Sequence, residues 1–575
     1  MKENFAYRGR SAADGPLLHL APNLAREPVA FEAVLKRPQR FREAVSALHD
    51  VVISDLRFKK RDKTAYLEWK KAEASRVRTV RAEAMKQARA DIEAKRAEPL
   101  PKDLDRKFNW ACKTYWGARR RYADHLRAHD LELWRLLMPC DPVITVADDV
   151  VFFECFSADE SSYGCLTVKR EEAFGPATQF QRGTTNVDYS WDLYNHFQSL
   201  RSYRETRFQL DPTGFDVATG GEATYREEKI DLPAGWLRGF MQLQAAMALP
   251  MRKATLTREA VYSLLAWLKR HKARTSPRAL RFEQAPGQPL TLVIEPWEQK
   301  IPVRGGAVEG TWNEPIRIWG RQRLLALARL LPLVDSVDVY LLGTGFPSFW
   351  VAKMGEMRLT LGLSGWTAND WTKGSSLDLL APPTPASALQ IEAVTTFLKD
   401  KRAATLAEID AAGARSPSIT AAALNHLAHT GQVIYDLDAG VYRWRQIMSR
   451  ALGEADLGPE NEELAASREI VRKGYATLTS RVGAPGGGTI YVGQAESKPV
   501  ELLIDPDGRI KRGRCLCGHF QKAGLRMGPC RHLLALRWLA FNPPSLPTPP
   551  SAAQPTAPAD WWSRLLAQAG RKGGA

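Results

Sequence analysis

Cysteine and histidine are both scarce in this 575-residue chain, at seven and ten residues. Long apolar runs are missing: no stretch approaches the roughly 18 residues that cross a bilayer, so a soluble protein is expected. The opening MKENFAYRGRSAADG lacks the apolar core of a secretory signal. A cytoplasmic, reducing compartment is therefore the expectation, and there cysteines serve metals or stay thiols rather than forming disulfides. Catalytic signatures are missing as well. There is no G-x4-G-K-[ST] phosphate loop, no Ser/His/Asp order and no pair of carboxylates at a motif spacing. Gly343-Thr344-Gly345 is a lone turn without a lysine, and Asp192 with His196 is only an i,i+4 pair. These absences point away from an enzyme.

What is present is an ordinary apolar fraction of 44%, enough to bury real cores in a chain long enough for three or four domains. The formal net charge is +17. Its location matters more than its size, because local fields attract polyanions. From Arg57 to Arg127 there are 22 Lys/Arg against 10 Asp/Glu, and from Arg509 to Arg531 there are 7 against none. The remainder of the chain is slightly acidic, so nucleic-acid contact would rest on these two places.

The patterning predicts a multidomain α+β protein. After an N-terminal segment (1–56), residues 57–98 are rich in Ala, Lys, Arg and Glu and free of Gly and Pro, which predicts one long solvated helix. A break at Pro99-Leu100-Pro101 and a second periodic run from Phe108 to Leu137 complete a basic helical arm over 57–140. From 141 to 380, short β-like runs such as VITVADDVVFFECF and SVDVYLLG alternate with helices near 233–247, 257–271 and 320–331. Turn signals at Asp211-Pro212-Thr213-Gly214 and Ala285-Pro286-Gly287 favour antiparallel pairing in this α+β body.

A Pro-rich joint, APPTPAS, leads into a compact segment over 386–448. Helices at 388–401, 405–412 and 418–430, followed by a hairpin turning at Asp438-Ala439-Gly440, have the plan of a winged helix. The third helix, Ser418 to Thr430, has neither Lys nor Arg, and the whole segment holds six basic and six acidic residues. Phosphate neutralisation supplies most of the affinity of DNA-binding modules. Protein contact or scaffolding is therefore expected here ahead of DNA contact through Arg443 and Arg445.

Three of the seven cysteines converge in RCLCGHFQKAGLRMGPCRH, in the domain over 459–541. The spacing is Cys515-x-Cys517, twelve residues, then Cys530-x-His532. Three thiolates and an imidazole match a closed tetrahedral zinc site, and thiolates select zinc over magnesium or calcium. Gly528-Pro529 supplies the turn that returns Cys530 and His532 to the first pair. His519 competes as fourth ligand, but it would crowd three ligands onto five residues, so His532 is preferred. Cys112, Cys140, Cys155 and Cys165 show no such cluster and read as buried thiols. Lys511, Arg512, Arg514, Lys522, Arg526 and Arg531 surround the ligands, a ring suited to phosphate or an acidic partner, with Phe520 able to stack on a base. Past a Pro/Ala linker, the segment 542–575 ends in WWSRLLAQAG, where the i,i+4 pairs Trp561 with Leu565 and Trp562 with Leu566 suggest a short apolar helix that either docks in a partner's groove or folds back onto the chain's own body.

The pattern C-x-C-x12-C-x-H after a β-rich lead-in resembles the SWIM zinc finger. The segments KIDLPAGWLRGFMQLQAAM, SPRALRF, RIWGRQRLLALARLLPL and LGLSGWTANDW are similar to those of large bacterial SWIM proteins. The resemblance implies zinc binding and a role in DNA or protein contact, and it suggests MoxR-type AAA+ ATPases and von Willebrand A proteins as partners. The expected function is a non-catalytic zinc-binding adaptor that contacts nucleic acid, DNA ahead of RNA, through the finger and the arm. The alternative is a protein-interaction subunit of a MoxR-type ATPase complex without nucleic-acid binding.

Overall fold

A computed structural model describes residues 12–54, 83–90, 103–129, 142–187, 197–210, 234–365, 371, 386–447 and 462–541, apart from short stretches within them. Strands Val150–Phe156, Ser162–Lys169 and Met357–Leu363 are buried along nearly their whole length. That is why they read as apolar runs rather than as alternation, since a strand covered on both faces has no solvent side. They form the middle of a nine-stranded sheet running from Ala307–Val308 through Arg252–Thr257, Ser336–Leu341, Ser348–Met354, Met357–Leu363, Ser162–Lys169, Val150–Phe156 and Val143–Val146 to Gly183–Asn186. Every neighbouring pair is antiparallel.

Helix Pro38–Val52 covers one face of this sheet, with Phe41 edge-on to Phe153 at 5.9 Å. The described residues of 17–52, expected in a separate N-terminal segment over 1–56, thus pack with the body. Leu17–Leu20 pairs in parallel with Thr206–Leu210, and Ala30–Leu35 pairs antiparallel with the same strand. Two helices of the body fall where periodicity puts them, at Ala234–Met247 and Arg258–Arg270; the third, Arg321–Leu330, is wound as a 3-10 helix. Strands Leu280–Glu283 and Thr291–Ile294, on either side of the Ala285-Pro286-Gly287 signal, pair antiparallel in a separate four-stranded sheet, while Pro286 and Gly287 lie outside the described residues. Of the arm, a helix spans Leu104–His129 and residues 83–88 are helical. The rest of 57–98, the turn at 211–214 and the tail with Trp561, Trp562, Leu565 and Leu566 lie outside the described residues.

Residues 386–447 hold three helices, Ala388–Lys401, Leu406–Ala412 and Pro417–His429, the first two opened by capping boxes at Ser387/Gln390 and Thr405/Glu408. Each box satisfies two backbone donors that a helix start leaves orphaned. The hairpin Val433–Asp436 with Val441–Trp444 comes next, joined at its edge by Ala403–Ala404 into three strands.

This hairpin faces inward. Alternation along Val150–Phe156 sends Glu154 and Phe156 to the side opposite Phe153, and helix Ala234–Met247 packs there through Phe240, 4.8 Å from Phe156. The hairpin docks beside it. Arg443 makes paired bonds of 2.8 and 2.9 Å to Asp149 and one of 2.8 Å to Asp436. Lys353 meets Asp438 at 3.0 Å, and Arg358 meets Asp436 at 2.5 Å. Arg445, 1% exposed, lies 3.3 Å from the fully buried Glu154 and 4.7 Å above the Phe240 ring. Tyr163 donates to Glu154 at 2.8 Å. The third helix is buried at Thr420, Leu424 and Leu427.

The C-terminal unit pairs helix Glu462–Arg472 with a four-stranded antiparallel meander, Ala476–Gly483, Thr489–Ala495, Lys498–Ile504 and Ile510–Cys515. Helix Arg531–Phe541 lies across one face of this sheet. Gly493 allows the approach, because a Cβ there would sit 2.1 Å from the Thr477 carbonyl oxygen and 2.6 Å from Leu536.

Candidate metal centre

Each ligand-type residue occupies the end of an element. Cys515 closes strand Ile510–Cys515, and Cys517 caps helix Gly518–Ala523, its sulfur accepting the Phe520 N–H at 3.4 Å. Gly528, at φ 91°, turns the chain with Pro529 so that Cys530 and His532 fall at the start of helix Arg531–Phe541. The four side chains are buried, and their donor atoms all lie within 4.8 Å of one another. A tetrahedral ion with sulfur at about 2.3 Å needs its ligands about 3.8 Å apart, so the group fits a metal ion of that kind. Backbone N–H groups at both helix starts, Phe520 on Cys517 and Leu533 on Cys530, favour thiolates.

The electrostatics are uneven across the group. Hydrogen bonding from Cys530 draws Cys515 down to about 4, and the same bond pushes the Cys530 thiol up. Burial raises Cys517. Hydrogen bonding to Cys515 raises His532. The bonding among the four side chains thus favours the thiolate form at Cys515, the kind of donor that metals recruit.

His532 turns Nε2 to Glu496 at 3.0 Å, while Nδ1 is buried on the side of Cys515. That leaves Nδ1 for the thiol side. His519 lies outside the group, its Nδ1 3.9 Å from Glu463, so the alternative fourth ligand falls away. Glu463 also holds Arg531, through Nη2 at 2.6 Å and the backbone N–H at 2.7 Å. Burial raises the Glu463 carboxyl, but the Arg531 bonds outweigh it and the net shift is downward.

The six surrounding cations divide. Arg531 is engaged by Glu463, and Arg526 bonds the carbonyls of Ala523 and Lys522 while lying against Gly345, where a Cβ would come within 2.3 Å of its Cδ. Lys511, Arg512, Arg514 and Lys522 are exposed. Among the described residues only Arg514 of these four meets a carboxylate, Glu501 at 3.8 Å. Arg512 and Arg514 share the sheet face away from helix Arg531–Phe541, because their alternate, Gly513, faces Leu533. The knuckle also exposes Leu516 (55%) and Met527 (41%), with Phe520 half-buried. Glu463, Glu496 and Lys498 carry no signal in the sequence, since nothing in spacing ties a distant carboxylate or ammonium to a ligand.

No helix among the described residues is long and apolar enough to cross a membrane. No protein-family model matches the chain, and no curated protein matches it. Solved structures similar to it include the proliferating cellular nuclear antigen of Entamoeba histolytica, at 12% identity over 39% of this chain and 89% of that one, TM-score 0.27. Another is the corresponding protein of Thermococcus kodakaraensis, at 13% identity over 39% and 90%, TM-score 0.26. At such TM-scores the likeness carries no argument about fold or function.

Proposed function

We propose that this chain is a non-catalytic binding protein whose C-terminal module is held together by zinc and presents a basic surface to a nucleic-acid backbone, in the manner of the SWIM fingers its spacing resembles. Zinc is the choice because three thiolates and one imidazole in a buried, four-donor set match structural zinc sites. The observation that carries the polyanion reading is the group Lys511, Arg512, Arg514 and Lys522, exposed on the zinc module. Three thiolates and a neutral imidazole around Zn²⁺ leave a formal charge near −1, which four outward cations exceed.

Residues 386–447 are read as a winged helix used as a scaffold. Arg443 and Arg445, the cations a wing would offer to DNA, are 4% and 1% exposed and paired with Asp149, Asp436 and Glu154. A second reading, protein adaptor without nucleic-acid contact, is favoured by the exposed Leu516 and Met527 beside the ligands.

The test is binding of duplex DNA and of single-stranded RNA across a salt series, with zinc content measured on the same samples. Reversing Lys511, Arg512, Arg514 and Lys522 to Glu is expected to weaken binding and to flatten the log–log salt slope on duplex DNA by about 0.9 for each phosphate no longer neutralised. A slope unchanged by the four reversals sinks the assignment. Zinc uptake with no nucleic-acid binding at any salt moves the conclusion to the protein adaptor.

A further inference from the structure

The turn that carries Glu496 is unusual for its sequence. Glu496 and Ser497 form the two-residue connection between Thr489–Ala495 and Lys498–Ile504, closing on the Ala495–Lys498 pair. Both have positive φ, 46° and 63°. Turns of this kind favour Asn-Gly or Gly-Gly, because a Cβ crowds the carbonyl in the left-handed region. Glutamate and serine are poor choices for the backbone alone, and strain of this sort concentrates where a side chain has work to do.

The side chain's position supplies that work. The Glu496 N–H donates to the Tyr475 carbonyl at 2.9 Å, fixing the turn, and the carboxylate reaches His532 Nε2 at 3.0 Å. Lys498 Nζ approaches the same nitrogen at 3.5 Å. The two neighbours make opposite demands. A carboxylate only accepts, so it favours a proton on Nε2 and a lone pair on Nδ1, whereas an ammonium only donates and favours the reverse. With the proton on Nδ1 the ring could not ligate from the thiol side.

We propose that Glu496 is a positioning residue of the metal centre: it fixes the Nδ1-ligating tautomer and orientation of His532 against the pull of Lys498, and the strained turn persists because it delivers this carboxylate. The inference rests on the metal reading above. It reaches beyond that reading by giving a role to a residue outside the four ligands.

The experiment is zinc competition against a chromophoric chelator on the full chain, with the absorption spectrum of the Co²⁺-substituted protein as a second readout. Glu496→Asn suits the turn better than glutamate does, so a purely conformational role predicts unchanged or tighter zinc binding. The positioning role predicts the opposite: affinity weaker by about 10- to 100-fold, the range typical of lost partners behind a ligating histidine, with altered Co²⁺ bands. Adding Lys498→Met to Glu496→Asn is expected to recover part of the loss by removing the competing donor. Zinc bound by Glu496→Asn as tightly as by the parent overturns the proposal. A parent that takes up no zinc overturns the metal reading and this inference together, whereas a zinc-binding parent with an indifferent Glu496→Asn overturns this inference alone.

Discussion

Cys530→Ser is expected to strip the metal and unfold the knuckle from Cys515 to His532, while the nine-stranded sheet keeps its structure. Cys530 is fully buried and at the start of the helix whose Leu533 and Leu536 cover Gly513 and Gly493 of the meander. Ion binding in such a module is folding energy, about 10–16 kcal/mol for structural zinc near neutral pH, and the stretch between Cys517 and Cys530 buries little apolar surface of its own, whereas Leu533 and Leu536 hold the helix on the meander. Hydrogen exchange read by mass spectrometry, with metal content alongside, resolves the two regions. Fast exchange confined to the C-terminal unit is the expected result. Equal loss of protection across 142–363 would mean that the module and the body fold as one.

The second large effect is expected at the docked hairpin. Arg445→Met leaves Glu154 buried with Tyr163 as its remaining partner among the described residues, and desolvation already raises the Glu154 pKa against the opposing charge of Arg445. Removing one member of a buried pair destabilises by about 3–5 kcal/mol, because an uncompensated charge remains in a low-dielectric site. The double replacement Glu154→Gln with Arg445→Met removes both charges and is expected to recover much of that loss. Urea-induced release of the hairpin, tracked by exchange of its amides, measures each variant. Equal destabilisation by the single and double replacements would show that packing over Phe240, rather than charge, holds the hairpin in place.

The fold was legible where local chemistry and tertiary demand agree. The first two helices of 386–447 start at capping residues, the third at Pro417, and the hairpin turns at Gly440 with φ 68°, all of them local signals. The antiparallel body could be inferred from turn signals, but its strand order could not, since Ser162–Lys169 pairs with Met357–Leu363 across nearly two hundred residues of intervening chain. The place of helix Pro38–Val52 on the sheet was invisible for the same reason. At the metal group the four ligands were readable from spacing. Which cations stay exposed was not, because the engagement of Arg531 depends on Glu463, and that of Arg526 on its own helix end and on Gly345. Net charge by segment counts cations without showing their partners.

Because the hairpin faces inward, the body and the three-helix segment do not need an unbroken chain to stay together. The bonds from Asp149, Glu154, Gln244, Lys353 and Arg358 to residues 435–445 all join the body to the segment beyond the Pro-rich joint. They are non-covalent and do not depend on the peptide that links the two parts. A protein cut between 380 and 386 should therefore elute as one particle and separate only in denaturant, and the two halves produced as separate polypeptides should reconstitute it.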